Sequence, residues 1–598
     1  MNLLQQGLAA HQQKNYDVAE SCYLSYLKQR PHDFSALQLL GALRAAQGNV
    51  KEAITLCRKS LKIQPKQPNV HNNLANYLKQ SGLTDDAQQH YRAALALKSD
   101  YHDARKNLIK LLIEQSAFDV ANKELVTAQA AGLPQVDVVR LQARCCTSEN
   151  KLDEAITLYE RAIQLGDNQP QTWHDLALAL RTNGQPAKAL DYYQALLKAG
   201  VNDYALFHNV ANAYSDLGKL EQAIGYYQQA IALQPQYVDA HINLSELMWE
   251  VGKPEHMFDE FRTAIAQYPD DLELRVAYID RLLRLKHLDT AWQEIQSLGA
   301  NFSQFTAYQD VRARLLKARG EMDSAVQAHK RVLNAGDSTV QQRTNAAETL
   351  MQNGNYTDAL RAIEAQLSTN SHDQMLLSLR DLCWRALGMN HDIINSAHDN
   401  LVREYYIEIP PEFPSRVAFC NTLADYLTSL HTGTQQPLQQ TLHGGTQTRG
   451  NLFDNPHPLI QQVIAAFRQC INRYIDDIQH LDEPYPGFKQ VSDYRFSGSW
   501  SVRLKKSGYH NNHVHPMGWL SSAFYVQLPS VTAGQDRQGW FKVGEPNIAL
   551  NPPLPALRYV QPEVGKLVLF PSYIWHGTQP FDSDEVRTTI AYDVEKII

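Results

Sequence analysis

The sequence predicts a multidomain protein: an all-α superhelix of paired helices over residues 1–390, then a mainly-β domain with flanking helices. A connector and first strand occupy 391–410, and the β domain occupies 411–598. Three observations lead there. Alanine returns every 34 residues through the first part. That phase dissolves near residue 390, and short β-rich runs punctuated by Gly and Pro follow. Within those runs stand His513, His515 and, 61 positions after His515, His576. At 598 residues the chain is in any case too long for one core.

The repeat is regular. Alanine occupies positions 19, 53, 87, 121, 155, 189, 223, 291, 325 and 359, with Met257 as the exception. Glycine keeps the same period five residues earlier at 48, 82, 184, 218, 252, 320 and 354, and proline at 31, 65, 235 and 269. Glycine relaxes a turn between two helices, alanine lets them approach, and proline closes the second helix before the next unit. Eleven helix pairs follow from this spacing. Lys286 stands at a glycine position, and a change of curvature is expected between 273 and 305. Asparagine recurs at one first-helix position, in Asn73, Asn107, Asn209, Asn243 and Asn345, with Asp175 in register. Its amide offers an acceptor and two donors, enough to pair with an extended peptide backbone or with a neighbouring helix.

After the repeats, Asp392 to Asn400 reads as a capping helix and Val402–Ile409 as an opening strand ended by Pro410-Pro411. Phe419 to His431 and Pro456 to Ile478 carry helical periodicity. Between them Leu442–Phe453 reads as a Gly/Thr-rich loop, substrate-facing or a lid; it lacks the pattern of a phosphate loop. Short strands follow at Trp500–Leu504, Trp519–Leu528, Trp540–Val543, Lys566–Phe570 and Thr588–Val594. Their spacing suggests a sandwich or jelly roll.

A strand places residues i and i+2 on one face, so His513 and His515 can aim at one point. His576 follows the buried run Val564–Phe570 and a turn at Pro571-Ser572. Three neutral imidazoles ligate iron, zinc, copper or nickel and leave coordination positions open. Arg587, 11 residues on, offers a fixed cation able to take a carboxylate bidentately. Ordinary strand histidines are the plainer explanation of the pair taken alone.

Composition narrows the setting. A net charge of −7 argues against general nucleic-acid or anionic-membrane binding. No 18-residue apolar run suggests a membrane span, and Met1–Gln6 lacks the pattern of a secretory signal. The seven cysteines are odd in number, scattered and without C-x-x-C spacing. They read as reduced core thiols of a cytoplasmic protein.

Two resemblances add to this. Asn72–Tyr77 and Ala223–Ile231 resemble the first- and second-helix patterns of tetratricopeptide repeats. Proteins of that family use asparagine ladders to hold peptides, which implies peptide-binding roles for Asn73, Asn107, Asn209, Asn243 and Asn345; the solenoid surface could instead serve assembly or a homodimer. Gly508–Pro516, Trp519–Val526, Gly565–His576 and Arg587–Tyr592, with His443–Thr448 upstream, resemble 2-oxoglutarate/Fe(II) oxygenases of the prolyl-hydroxylase-like group. That resemblance implies a double-stranded β-helix (the jelly-roll, cupin-like architecture) binding Fe(II) and 2-oxoglutarate, with ascorbate a further candidate. It implies His513, His515 and His576 as metal ligands, Arg587 on the far carboxylate of 2-oxoglutarate, Thr589 adding a hydroxyl, and Tyr525 in the pocket. One departure stands out: the family's carboxylate ligand, two residues after the first histidine, is His515 here. An acid such as Asp582, Asp584 or Asp593 is therefore an alternative ligand. The expected activity is hydroxylation of a peptide or protein captured by the repeats. The alternatives are a small-molecule oxygenase that uses the repeats for assembly, and a non-catalytic adaptor.

Overall fold

The computed structural model describes residues 2–431 and 441–597. Helices fill the chain from Leu3 to Asn400, most of them 13 or 14 residues long, and they alternate as first and second members of antiparallel pairs. The periodic alanines explain the pairing: Ala19, Ala53, Ala87, Ala121, Ala155, Ala189, Ala223, Ala291, Ala325 and Ala359 are all 0% exposed. A methyl group at each crossing lets the backbones close, and a larger residue there would hold them apart.

The turn between the paired helices has one backbone requirement. The residue at each 34-residue step takes a positive φ, whether it is Gly48, Gly82 or Gly184, or instead Lys14, Ser116, Asn150 or Lys286. Lys286 adopts φ 59°, the same left-handed turn as Gly252 and Gly320. The expected irregularity therefore does not arise at Lys286. It lies partly one repeat earlier, where Pro254–His256 forms a 3-10 turn and shortens the next helix to Asp259–Gln267, and partly at the 3-10 turn Ala300–Phe302. A side chain in the left-handed region costs about 1–2 kcal/mol, offset in part by the greater freedom glycine has when unfolded. Lys286→Gly should accordingly raise the thermal denaturation midpoint, with a net gain up to about 1 kcal/mol. A lowered midpoint would show that Lys286 is held by contacts that outweigh its strain.

The chain divides into two compact units, Met1–Asn202 and Asp203–Ile598. In the second, one hydrophobic core runs from Leu350, Leu377 and Leu379 of the last helical pairs into Phe419, Phe467 and Phe524 of the β-rich part. Among its described residues that part holds nine strands: β1 (Arg403–Tyr406), β2 (Leu442–Gln447), β3 (Asp493–His510), β4 (Leu520–Gln527), β5 (Phe541–Val543), β6 (Arg558–Val560), β7 (Lys566–Pro571), β8 (His576–Thr578) and β9 (Arg587–Ile597). They form two antiparallel sheets, a six-stranded one ordered β1-β7-β4-β9-β3-β2 and a three-stranded one ordered β6-β5-β8. This is the jelly-roll arrangement; the sheets do not close into a barrel among the described residues.

Helices Arg416–Leu430 and Pro458–Ile478 pack into the core of the large sheet. Phe467 lies 5.0 Å from the Phe524 ring and 4.8 Å from that of Tyr592. Burial on both faces explains why β7 reads as a continuous apolar run: every residue of it is buried. Leu442–Phe453, expected to be a loop, begins instead as the edge strand β2 on β3. Its glycines permit close strand pairing rather than a loop. Gly444 (φ 67°) sits in a break of register, and a Cβ on Gly445 would fall 2.3 Å from the Arg503 carbonyl oxygen.

His431 ties this edge together, with Nδ1 2.9 Å from Thr446 Oγ1 and Nε2 3.2 Å from Ser501 Oγ. Burial, helped by nearby Arg503, pushes its pKa down to about 4. The unfolded chain takes this proton near 6.5 and the folded chain only near 4, so stability falls as pH drops through that window and levels off below it. Urea midpoints measured against pH should fall less steeply between 6.5 and 4 in His431→Gln than in the parent. Parallel curves would remove His431 as the cause.

Candidate metal centre

The pocket lies between the two sheets. Trp500, Val502 and His510 of β3, Arg587, Thr589 and Ala591 of β9, and Phe541 of β5 contribute to its wall, together with His513, His515 and His576.

Backbone pairing brings the histidines together. His513 and His576 exchange both hydrogen bonds, N–H to O at 2.9 and 3.0 Å, and the His515 N–H donates to the Ser572 carbonyl at 3.0 Å. His513 therefore joins the small sheet as a single bridge, and His515 lies just beyond it, before β4. The expected strand through 513–515 is reduced to that bridge, because Pro516 begins a turn.

Each ring is then fixed by its Nδ1. His513 Nδ1 is 2.8 Å from the Asn511 carbonyl oxygen, His576 Nδ1 is 3.0 Å from that of Ile574, and His515 Nδ1 is 2.8 Å from Asp593 Oδ2. All three partners are acceptors, so each Nδ1 carries the proton and each Nε2 presents a lone pair. The Nε2 atoms converge, that of His515 lying 3.1 Å from His513 Nε2 and 3.2 Å from His576 Nε2. Three lone pairs facing one another repel unless a cation or proton lies among them. Metal–nitrogen bonds of about 2.1 Å at right angles would put the nitrogens about 3.0 Å apart. Among the described residues this is the one group of three or more His, Cys, Asp or Glu side chains placed to hold a metal ion.

Burial keeps His513 and His576 neutral, as a metal requires: it pushes His513 down to about 3 and holds His576, like His510 beside it, well below the usual histidine range. Asp593 grips His515 from the side away from the convergence point. Asp582 and Asp584 are exposed, 3.2 and 3.7 Å from Lys506 Nζ. None of the three acids stands among the converging atoms.

Arg587 opens β9 and is 2% exposed. Its Nε is buried without a hydrogen-bond partner, and it has no acidic partner among the described residues. Its guanidinium carbon lies 5.3 Å from the ring centroid of Tyr525, which is 0% exposed and stands behind the pocket wall. Thr589, two residues on, lines the pocket on the same strand. Trp500 and Val502 were not anticipated as pocket residues. They pair directly with Ala591 and Thr589, and the alternation Trp500-Ser501-Val502 was the available signal. Trp500 also stacks on His515, with centroids 5.8 Å apart and planes 10° from parallel.

Residues 498–593 match the family described as "Putative 2OG-Fe(II) oxygenase". Residues 307–405 match "Tetratrico peptide repeat", and 32–277 match "Cilia and flagella-associated protein 70 C-terminal domain". The chain carries tetratricopeptide repeats and a C-terminal domain of that oxygenase family. The oxygenase family implies Fe(II) and 2-oxoglutarate, and the convergent histidines fit a metal.

Similar solved structures include a tetratricopeptide repeat protein from Parabacteroides merdae (16% identity, covering 39% of this chain and 92% of that one, TM-score 0.36). Pseudomonas aeruginosa pilF is similar too (23%, 36% and 99%, 0.31), as is yeast Tom70 (16%, 64% and 95%, 0.30). No curated protein matches.

Asn73, Asn107, Asn209, Asn243 and Asn345 all lie on first helices. Asn107 Nδ2 donates to Asn72 and Asn76, each at 3.2 Å. Asn243 Nδ2 lies 2.9 Å from His208 Nε2 and donates to Asn212 at 3.1 Å, and Asn345 donates to Asp310 at 3.0 Å. The amide donors of these three are thus engaged with the preceding first helix. Asn73 and Asn209 are half-buried. The seven cysteines are unbridged, five of them buried, and no described helix is long and apolar enough to cross a membrane.

Proposed function

We propose that the C-terminal domain is a 2-oxoglutarate- and Fe(II)-dependent dioxygenase that hydroxylates a peptide or protein held by the tetratricopeptide repeats. The observation that carries the reading is the convergence of three Nε2 lone pairs in a pocket whose wall also holds the acid-free, buried guanidinium of Arg587. Bound Fe(II) and 2-oxoglutarate would supply oxidative decarboxylation and transfer of one oxygen atom to a substrate C–H bond.

The chain's own groups have separate tasks. His513, His515 and His576 would hold the metal, their rings locked by the Nδ1 contacts. Arg587 would take the far carboxylate of the keto acid, and its burial strengthens that pairing. The Thr589 hydroxyl offers a further hydrogen bond. Val502, Phe541 and the Trp500 ring keep water from the remaining space.

Substrate capture by the repeats is supported by one contact. Glu250, at the end of the first helix Val238–Glu250, pairs with Arg449. Arg449 adjoins Thr448, whose N–H donates to the Ser501 carbonyl at 3.0 Å, and Ser501 lies between pocket residues Trp500 and Val502. The C-terminal end of a first helix thus comes within a few residues of the pocket wall. A polypeptide held along that helix would reach the pocket at raised local concentration.

The direct test is anaerobic equilibrium dialysis of the full chain with Fe(II), followed by assay of succinate from 2-oxoglutarate on admitting air. One equivalent of Fe(II) and 2-oxoglutarate-dependent succinate are expected. Absence of both would leave a non-catalytic adaptor.

A further inference from the structure

The three imidazoles are not equivalent. His513 and His576 donate to backbone carbonyls two residues before them, whereas His515 donates to a carboxylate. A charge-assisted bond of that kind is the stronger, and it makes the ring a better electron donor through its other nitrogen.

The carboxylate is itself held in a closed circuit. Asp593 Oδ1 accepts from Ser521 Oγ at 2.7 Å, Ser521 Oγ lies 2.8 Å from Ser572 Oγ, and the Ser572 carbonyl accepts the His515 N–H. Residues of β4, β9 and the turn after β7 thus meet around one histidine. The Asp593 side chain is 14% exposed, and His515 is its one ion-pairing partner among the described residues. Among the described residues no lysine or arginine pairs with it. Three neutral rings plus this acid give the centre one negative charge, the same count as two histidines and one ligating carboxylate.

We propose that Asp593 is a positioning residue that delivers, through His515, the negative charge a carboxylate ligand would bring to the metal. The inference rests on the proposed metal site and concerns how a three-histidine centre holds a divalent cation. It predicts that the anion matters although it touches no metal.

The test is anaerobic titration of the full chain with Co(II), followed by its visible absorption, and dialysis against Fe(II). Asp593→Asn should bind both metals about 10- to 100-fold more weakly and shift the Co(II) bands, since the ligand field of His515 changes. Ser521→Ala, which frees one carboxylate oxygen, should move both readouts the same way by a smaller amount. It carries the test if Asp593→Asn does not fold. Unchanged affinity and spectrum in the folded variants, with metal lost in His513→Ala, would overturn the role of Asp593 and leave the metal site standing. A parent protein that takes neither metal would overturn both.

Discussion

His576→Ala is expected to abolish Fe(II) retention and succinate formation together. The variant removes one of three converging nitrogens, so affinity should fall by more than the ~10–100-fold typical of losing a mere outer partner of a ligand. The ring is 5% exposed, between Phe570 at 4.5 Å and Phe541 at 5.6 Å, so alanine also opens a cavity. His576→Gln, which keeps most of the volume, separates the two effects: it should melt close to the parent and still lose the metal. The bridge to His513 is made by backbone atoms and should survive either change. His510→Ala is the contrast, because His510 Nδ1 is held 3.1 Å from Thr441 Oγ1 and stands outside the convergent set. One full equivalent of Fe(II) in His576→Gln would dispose of the three-histidine centre.

Arg587→Met is expected to act in opposite directions on stability and on co-substrate binding. The guanidinium stays charged at any pH the protein survives, even though burial lowers its pKa. A buried cation without an acid beside it destabilises the fold, so removing it should raise the denaturation midpoint of the ligand-free chain, by about 1 kcal/mol or more. Losing a buried charge pair with the keto acid should cost about 2–4 kcal/mol, which corresponds to a rise in the KM for 2-oxoglutarate of about 30- to 1,000-fold. Fe(II) binding without co-substrate should be unaffected, which distinguishes this variant from His576→Ala. An unchanged KM would mean that the far carboxylate is held elsewhere.

Much of the architecture was legible because it repeats. Ten alanines at one spacing each mark a place where two helices touch, and local geometry reproduces the same crossing each time. Lys286 shows where such reading stops. The turn there follows the backbone's needs rather than the residue's preference, so a lysine takes the conformation that glycine takes elsewhere. Gly444 and Gly445 mark the opposite failure. Two glycines in a polar stretch read as a loop, yet they let an edge strand lie against β3. The residue types of the candidate site were visible as His513, His515, His576 and Arg587, but nothing local in Trp500 or Val502 says that they face the same pocket.

The order of the paired helices, the helical period, the turns within each pair and the kinds of side chain available for chemistry were determined by the sequence, since each depends on neighbours within one or two turns of chain. Only the tertiary structure decided that Asp593 sits behind His515 rather than among the converging nitrogens, and that the buried Arg587 has no acid beside it. These relations join residues tens of positions apart through strand register. Register is set by the packing of a whole sheet against its helices, which no short stretch of sequence contains.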